Sequence, residues 1–455
     1  MKVILLSGGS GQRLWPLSND SYSKQYIKFI KHDEEAAPEG TALKCSMLQR
    51  VYEQLSAVGL GQDVIIAASE PQREIIESQL GGRVEISVEP MRRDTFPAVL
   101  LASAYVRTRL GAALDEVVCF VPVDPYVHLD YFKKIIELAD IVKALDGVIG
   151  LLGAKPTYPS QKYGYIRKMD SADGTGNSCI RVAGFEEKPD LKRAGELVES
   201  GALWNCGVFC FCLRTAQRWA EKYQLPFDYE VLHQDDNYTK LPKKSFDYEI
   251  LEHWNDIVAL SYDGMWKDIG TWNTLTEEME EHSIGNVVVD DTSENCHVIS
   301  TLDIPVILMG GKNLVVAASR DGILVSDKEQ SSFLKKSLDK VKLTPRYEER
   351  RWGTIKTVER SEEDGIGVCT NMIKVESGQS TTYHRHMHHD EIITIISGKG
   401  VLILNGTKIV LTPGVTFTIN AGVLHAIKAE EKLKYVEVLM GDLSGDDIER
   451  ISWEI

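Results

Sequence analysis

The stretch Met1-Lys-Val-Ile-Leu-Leu-Ser-Gly-Gly-Ser-Gly-Gln-Arg-Leu-Trp-Pro-Leu-Ser18, with Ser23-Lys24-Gln25 four residues on, decides how the first half of this chain is read. Val3 to Leu6 is a short apolar run of strand-forming residues, and it stops abruptly at Gly8, Gly9 and Gly11. Glycines there let the backbone approach a ligand closely, so that successive N–H groups can point at phosphate oxygens. Arg13 and Lys24 add two fixed positive charges after the same strand. A buried strand, a glycine-rich loop and two cations predict a nucleoside triphosphate site. The order Gly-Gly-Ser-Gly-Gln-Arg lacks the Gly-Lys-Ser/Thr ending of a P-loop. It also departs from the dinucleotide spacing G-x-G-x-x-G.

Length and composition bound the rest. A chain of 455 residues predicts about two or three domains at roughly 100–200 residues each. No apolar run approaches the ~20 residues that span a bilayer. The run Val3–Leu6 is too short for a signal peptide. Eight scattered cysteines form no CxxC pair, which reads as buried free thiols in a reducing cytosol. A formal charge of −16 speaks against nucleic acid or an anionic membrane as partner. Anionic substrates must then be met by local cations or metal ions.

From residue 1 to about 275, short apolar strands alternate with helical patterns, the grammar of a doubly wound α/β sheet. Strands are expected at 2–6, 64–68, 85–88, 116–123, 148–154 and 207–211, with helices at 48–60, 72–80, 97–110 and 130–145. Residues 286–328 read as evenly spaced short β segments, a solenoid-like or roll-like connector, and a charged helix is expected over 327–342. Residues from about 346 onward are nearly all strand and turn, which argues for a sandwich or barrel. The expected domains are 1–280, 281–344 and 345–455.

Asp124 ends the apolar run 117–123, at the strand edge where open α/β sheets bind ligands, although a lone carboxylate there also serves as a helix cap. Asp268, in Trp266-Lys267-Asp268-Ile269-Gly270, offers a second carboxylate. Two carboxylates with substrate phosphates and waters suit Mg²⁺. Spacing alone does not pair residues 144 positions apart.

The string Gly8-Gly9-Ser10-Gly11-Gln12-Arg13-Leu14-Trp15-Pro16 resembles the G-G-x-G-x-R-L-x-P signature of sugar-nucleotide pyrophosphorylases. Its continuation through Ser18 resembles the mannose-1-phosphate guanylyltransferase family in particular. Further segments match in family order. Glu89-Pro-Met-Arg-Arg93-Asp94-Thr95-Phe-Pro-Ala98 is similar to the guanine-side segment, with Asp94 in place of the usual Asn. Tyr163-Gly164-Tyr-Ile resembles the sugar-side loop, Phe185-Glu-Glu187-Lys188-Pro189 the F-x-E-K-P motif, Trp204-Asn205-Cys-Gly-Val-Phe209 the W-N-x-G-x-F motif, and Phe246-Asp247-Tyr248 the segment closing the sugar pocket. Pro125 and Ser23 depart from the family's usual His and Pro.

The resemblance implies a Rossmann-like, GT-A-like nucleotidyltransferase domain and roles for named residues. Leu6, Gly8, Gly9, Ser10, Gly11, Glu89, Arg93, Asp94 and Thr95 would bind the nucleotide. Tyr163, Gly164, Glu187, Lys188, Asn205 and Asp247 would bind the sugar phosphate, and Asp124 and Asp268 would hold Mg²⁺. Arg13, Lys24 and Lys188 would be the catalytic cations. The implied substrates are GTP and mannose 1-phosphate. The implied reaction is in-line attack of the sugar phosphate on the α-phosphorus, expelling pyrophosphate. The resemblance further implies a cytoplasmic homo-oligomer, a dimer being one form, with no nucleic acid and no membrane as partner. Pyrophosphorylases for other bases share the loop, so another nucleotide or hexose 1-phosphate stays open, as does a non-catalytic sugar-nucleotide sensor.

Five of the eleven histidines fall between 384 and 425. The pattern Gly378-x5-His384-x-His386-x4-Glu391-x6-Gly398, then Gly414 to His425, matches both cupin motifs, with Asn420 in place of a usual Pro. His384 and His386, two apart on a strand, face the same way. Three imidazoles and a carboxylate suit Zn²⁺, Fe²⁺ or Mn²⁺, while a metal-free cupin whose histidines only line a pocket is the alternative. His388 and His389 are expected in the turn. This half also resembles the isomerase half of bifunctional mannose-6-phosphate isomerase/guanylyltransferases, except that Ala426-Ile427-Lys428 follows the last histidine where that family has Arg.

Overall fold

The computed structural model describes the chain except residues 9–11, 20–21, 38–43, 146, 170–178, 280, 342, 364, 444–447 and 452–455. Two compact units emerge. One comprises Met1–Gly9, Gln25–Arg73 and Leu80–Gly270; the other comprises Ser10–Lys24, Glu74–Gln79 and Thr271–Ile455.

The first unit is built on a nine-stranded sheet ordered Glu85–Glu89, Val64–Ser69, Lys2–Leu6, Val117–Pro122, Leu203–Cys212, Ile149–Ala154, Ile257–Tyr262, Cys179–Glu187, Gly164–Lys168. The first four strands run parallel, and their continuous apolar sequences follow from burial on both faces. Leu203–Cys212 runs antiparallel to both neighbours, so the sheet is mixed. Helices cover it for local reasons. Met47–Ala57 begins in a capping box between Ser46 and Gln49. Leu129–Ala144 lies so close to the strand Ile149–Ala154 that a Cβ on Gly150 would meet Val142 Cγ2 at 2.6 Å and Leu138 Cδ1 at 2.9 Å. Any larger residue there separates the two layers.

In the second unit, Ser283–Ile284, His297–Ser300 and Leu314–Ser319 stack in parallel, one rung per strand, and Gly322–Asp327 closes the stack antiparallel. The expected helix over 327–342 is instead two short turns, a 3-10 turn Gln330–Phe333 and an α-turn Lys335–Leu338. Asp327 starts them by accepting from the N–H groups of Glu329 and Gln330, a local turn that competes with a continuous helix. Beyond them a six-stranded and a five-stranded sheet form the β-barrel of a cupin fold. Ile373, Ile393 and Tyr435 from one sheet, Trp352 from a turn between two of its strands, and Leu402, Leu411 and Ile427 from the other sheet share one apolar core.

No helix among the described residues is long and apolar enough to cross a membrane. The eight cysteines are free thiols, six of them buried.

Candidate active site and metal centre

The strand Val117–Pro122 delivers Asp124 just past its end, and Pro125–Val127 pairs antiparallel with Trp266–Asp268. The register sets Pro125 opposite Asp268, so the two carboxylates read separately in the sequence stand side by side at one cleft of about 190 Å³. Their hard oxygen donors fit Mg²⁺, which keeps waters and substrate phosphates as its remaining ligands. The ribbon is held from behind. Arg50 and Gln54, on the helix Met47–Ala57, donate to the Val127 carbonyl at 2.7 and 2.9 Å. Both also donate to Asp33, and the Arg50 guanidinium lies over the Tyr126 ring.

The same cleft is lined by Tyr163, Gly164, Glu187, Asn205 and Asp247, which brings the expected sugar-side residues together with the two aspartates. Asn205 Oδ1 accepts from the Gly207 N–H, and its amide donates to Asp247 Oδ1, each at 3.0 Å. Loss of water, then the nearby Glu187 charge, push the Asp247 carboxyl up to about 7. Gly164 is required where it stands, since a Cβ would meet the Phe185 ring at 2.6 Å and clash with Glu187. Lys188 adopts φ +47°, its N–H donates to the Tyr163 carbonyl, and its ammonium pairs with Glu187. Burial works to lower the Lys188 amine, but Glu187 outweighs it and raises it, so the side chain stays cationic. Trp266 and Trp204 pack edge-on against Tyr163, an aromatic wall that the sequence motifs carry without announcing.

At the same edge of the sheet, Leu6 ends its strand in register with Pro122, and Gln25 fixes the next residue by donating to the Ser7 carbonyl at 2.5 Å. Gly8 is exposed, and Glu89 Oε1 lies 3.9 Å from where its Cβ would be. Burial pushes Glu89 up to about 7, although Tyr238 donates to it at 2.8 Å. Asp94 caps the helix Thr95–Thr108, Thr95 accepts from the Phe246 N–H, and Arg93 donates to the Leu241 carbonyl. All three therefore anchor local structure. Gly9, Ser10 and Gly11 lie outside the described residues.

In the second unit, Arg13 is exposed in the turn Gln12–Leu14, and Lys24 is half-buried in the turn Lys24–Tyr26. Other signature residues serve the fold here. The Trp15 carbonyl accepts from Trp272, the Pro16 carbonyl from Ser319, and Asn19 donates to Asp321 at 2.7 Å.

The cupin histidines converge as their spacing predicts. One donor atom from each of His384, His386, Glu391 and His425 lies within 4.8 Å of the others. Nδ1 of His384 lies 2.8 Å from the Thr382 carbonyl, and Nδ1 of His425 lies 3.1 Å from the Val423 carbonyl. A carbonyl oxygen only accepts, so both Nδ1 atoms carry protons; Nε2 of His384 is then oriented to ligate, and Nε2 of His425 would do so once an ion replaced its contact with Glu391. Nε2 of His386 and His425 sit 2.8 and 3.0 Å from the two Glu391 oxygens. A neutral His425 would aim a lone pair at a carboxylate, an arrangement that a proton or a metal ion between them relieves; the donor set fits a transition metal. Burial works to raise Glu391, but hydrogen bonds from the two histidines outweigh it and hold the carboxyl well below the usual carboxylate range. Burial, then His425, lower His384 to about 4. His389 opens the strand His389–Ser397 rather than lying in the turn. The cavity here, about 360 Å³, adds Arg360, Arg450 and Glu437, which no motif marked. Burial, then the charge of Glu391, push Glu437 up to about 7, and Asn371 donates to it at 3.0 Å.

Residues 2–283, well over half of the chain, match the nucleotidyl transferase family, and residues 371–440 match the cupin domain. The chain belongs to the nucleotidyl transferase family and carries a C-terminal cupin domain. Among curated relatives, it is 28% identical to a mannose-1-phosphate guanylyltransferase of Escherichia coli, over 98% of both chains. It is 29% identical to the Xanthan biosynthesis protein XanB of Xanthomonas campestris, over 98% of this chain and 96% of that one. Among solved structures, it is similar to one described as a mannose-1-phosphate geranyltransferase from Thermus thermophilus. That likeness has 27% identity and a TM-score of 0.59, over 74% of this chain and 99% of that one.

Proposed function

We propose that this chain is a mannose-1-phosphate guanylyltransferase, making GDP-mannose and pyrophosphate from GTP and mannose 1-phosphate. The observation that carries the reading is the cleft in which Asp124 and Asp268 share a rim with Glu187, Asn205 and Asp247. The full-length relatives of that name support the choice of substrates. A phosphate oxygen of the sugar phosphate bonds to the α-phosphorus of GTP as the bond to the β-phosphate breaks. The nucleophile is already anionic, so the chain supplies positioning and charge rather than a base. Lys188 steers the incoming phosphate, while Glu187, Asn205 and Asp247 take the sugar hydroxyls. Arg13 and Lys24 are the cations for the triphosphate. Asp124 and Asp268 would hold Mg²⁺, which neutralises phosphate charge when bound. The product fits a cytoplasmic supply of GDP-mannose to polysaccharide synthesis, by a chain that acts as a homo-oligomer.

Pyrophosphate release, measured with every nucleoside triphosphate against several hexose 1-phosphates, tests the reading. GTP with mannose 1-phosphate should be the best pair by at least tenfold. A different best pair, or no release with any, would sink it.

The oriented imidazoles and the buried Glu437 support a second reading for the cupin half, a metal-dependent isomerase of mannose 6-phosphate and fructose 6-phosphate. The donor set His384, His386, Glu391 and His425 would hold Zn²⁺, Fe²⁺ or Mn²⁺. Incubating metal-loaded protein with fructose 6-phosphate and finding no mannose 6-phosphate would remove it.

A further inference from the structure

We propose that His32, Cys45 and Glu53 form a second transition-metal site, fitted to Zn²⁺, that ties the strand pair Ile30–Lys31 and Lys44–Cys45 to the helix Met47–Ala57. One donor atom from each residue lies within 4.8 Å of the others, and His32 Nδ1 is 2.7 Å from Glu53 Oε2. Cys45 is fully buried, and the side chains of His32 and Glu53 are only 12% and 15% exposed.

The three donors come from separately anchored pieces. His32 follows the strand Ile30–Lys31, Cys45 ends the strand Lys44–Cys45, and Glu53 lies in the second turn of the helix. The two strands pair over two residues only, Ile30 with Cys45 and Lys31 with Lys44. So short a ladder is marginal on its own. Arg50 and Gln54 already tie Asp33 to the helix, and a metal ion held by His32, Cys45 and Glu53 adds a tie that also takes in the second strand.

Donor chemistry selects the ion. Sulfur, imidazole and carboxylate together suit Zn²⁺ or Co²⁺, whereas Mg²⁺ and Ca²⁺ take oxygen ligands. Metal–ligand distances of about 2.0–2.3 Å in a tetrahedron put neighbouring donors roughly 3.3–3.8 Å apart. The His32–Glu53 pair, now at 2.7 Å, therefore opens by roughly 0.6–1.1 Å to admit the ion, and water completes the fourth position. The competing view is an ordinary His–Glu ion pair with a bystander thiol. This site differs in kind from the cupin centre, which has no sulfur donor, and it stands apart from the guanylyltransferase reading.

That difference provides the test. Full-length protein, stripped of metal and kept reduced, is titrated with Co²⁺ while absorption is recorded. A thiolate-to-cobalt charge-transfer band should appear in the near ultraviolet and saturate within about two equivalents per chain, the cupin histidines taking Co²⁺ without contributing a sulfur band. Cys45→Ser should abolish it, and Glu53→Gln should shift saturation to a Co²⁺ concentration at least tenfold higher. Absence of the band in the unmodified protein, or its survival in Cys45→Ser, overturns the site. Where circular dichroism shows Cys45→Ser unfolded, Glu53→Gln decides, and an unshifted titration overturns the site equally.

Discussion

The Asn205 amide donates to Asp247 Oδ1 at 3.0 Å, in a cleft where Asp247 is pushed up to about 7 by loss of water and by Glu187. A carboxyl whose pKa is higher folded than unfolded binds more protons in the native state. Its contribution to stability is fully present below the unfolded value near 4 and is lost as pH rises through about 7. Without ligands, the melting temperature should therefore decline between pH 5 and 8, and Asp247→Asn should flatten that decline. The variant keeps an acceptor for Asn205 but carries no charge. Thermal denaturation of both proteins across that range checks it, and parallel pH profiles would contradict the assignment.

Lys188 stands at φ +47°, tied through its backbone to Tyr163 and through its ammonium to Glu187. This holds a cation beside Glu187, which lines the cleft, and the proposed function assigns that cation to the incoming phosphate. Lys188→Ala should lower turnover about 10²-fold or more, the usual loss for one charge-stabilising donor, with a small change in melting temperature because the side chain is exposed. Arg13→Ala should cost a similar factor, since Arg13 is an exposed cation assigned to the triphosphate. Steady-state kinetics check both, and near-normal rates for either remove its role.

Burial decides which parts of the fold were legible in the sequence. The strands Lys2–Leu6, Val64–Ser69 and Val117–Pro122 are legible because parallel strands covered on both faces are apolar throughout. Gly164–Lys168 and Cys179–Glu187 escaped notice because their half-exposed positions carry Arg, Lys and Glu, which erase the pattern. The cupin donors are legible since His384 and His386 obey the two-residue strand period. By contrast, the pairing of Asp124 with Asp268 depends on a three-residue ribbon that no periodicity marks. Arg50, Gln54 and Asp33 share that fate: each looks like an ordinary polar residue until the fold buries all three.

Arg50 provides a direct test of how the ribbon is held. It is 1% exposed and bonds both the Val127 carbonyl and Asp33, so it positions the strand Pro125–Val127, which follows Asp124 and faces Asp268. Arg50→Lys keeps the charge but loses the planar fork that reaches two acceptors at once. The Mg²⁺ concentration for half-maximal activity should rise several-fold, with a smaller effect on KM for mannose 1-phosphate. A purely structural role would lower the melting temperature and leave the Mg²⁺ dependence unmoved.

The cupin centre makes the last prediction. Glu391 is 2% exposed and faces two imidazoles, so its charge is tolerated only while they, or an ion they bind, compensate it. An ion that binds the folded chain alone stabilises it by mass action, by about 2.7 kcal/mol at a hundredfold excess over Kd. Chelation should therefore lower the melting temperature by several degrees, and Zn²⁺, Fe²⁺ or Mn²⁺ should restore it. His425→Ala should cancel both responses while sparing guanylyl transfer, because His425 lies in the unit that does not hold the Asp124–Asp268 cleft. A chelator-sensitive melting temperature that persists in His425→Ala, measured in the Cys45→Ser background to silence the second site, would show that the histidines bind no metal.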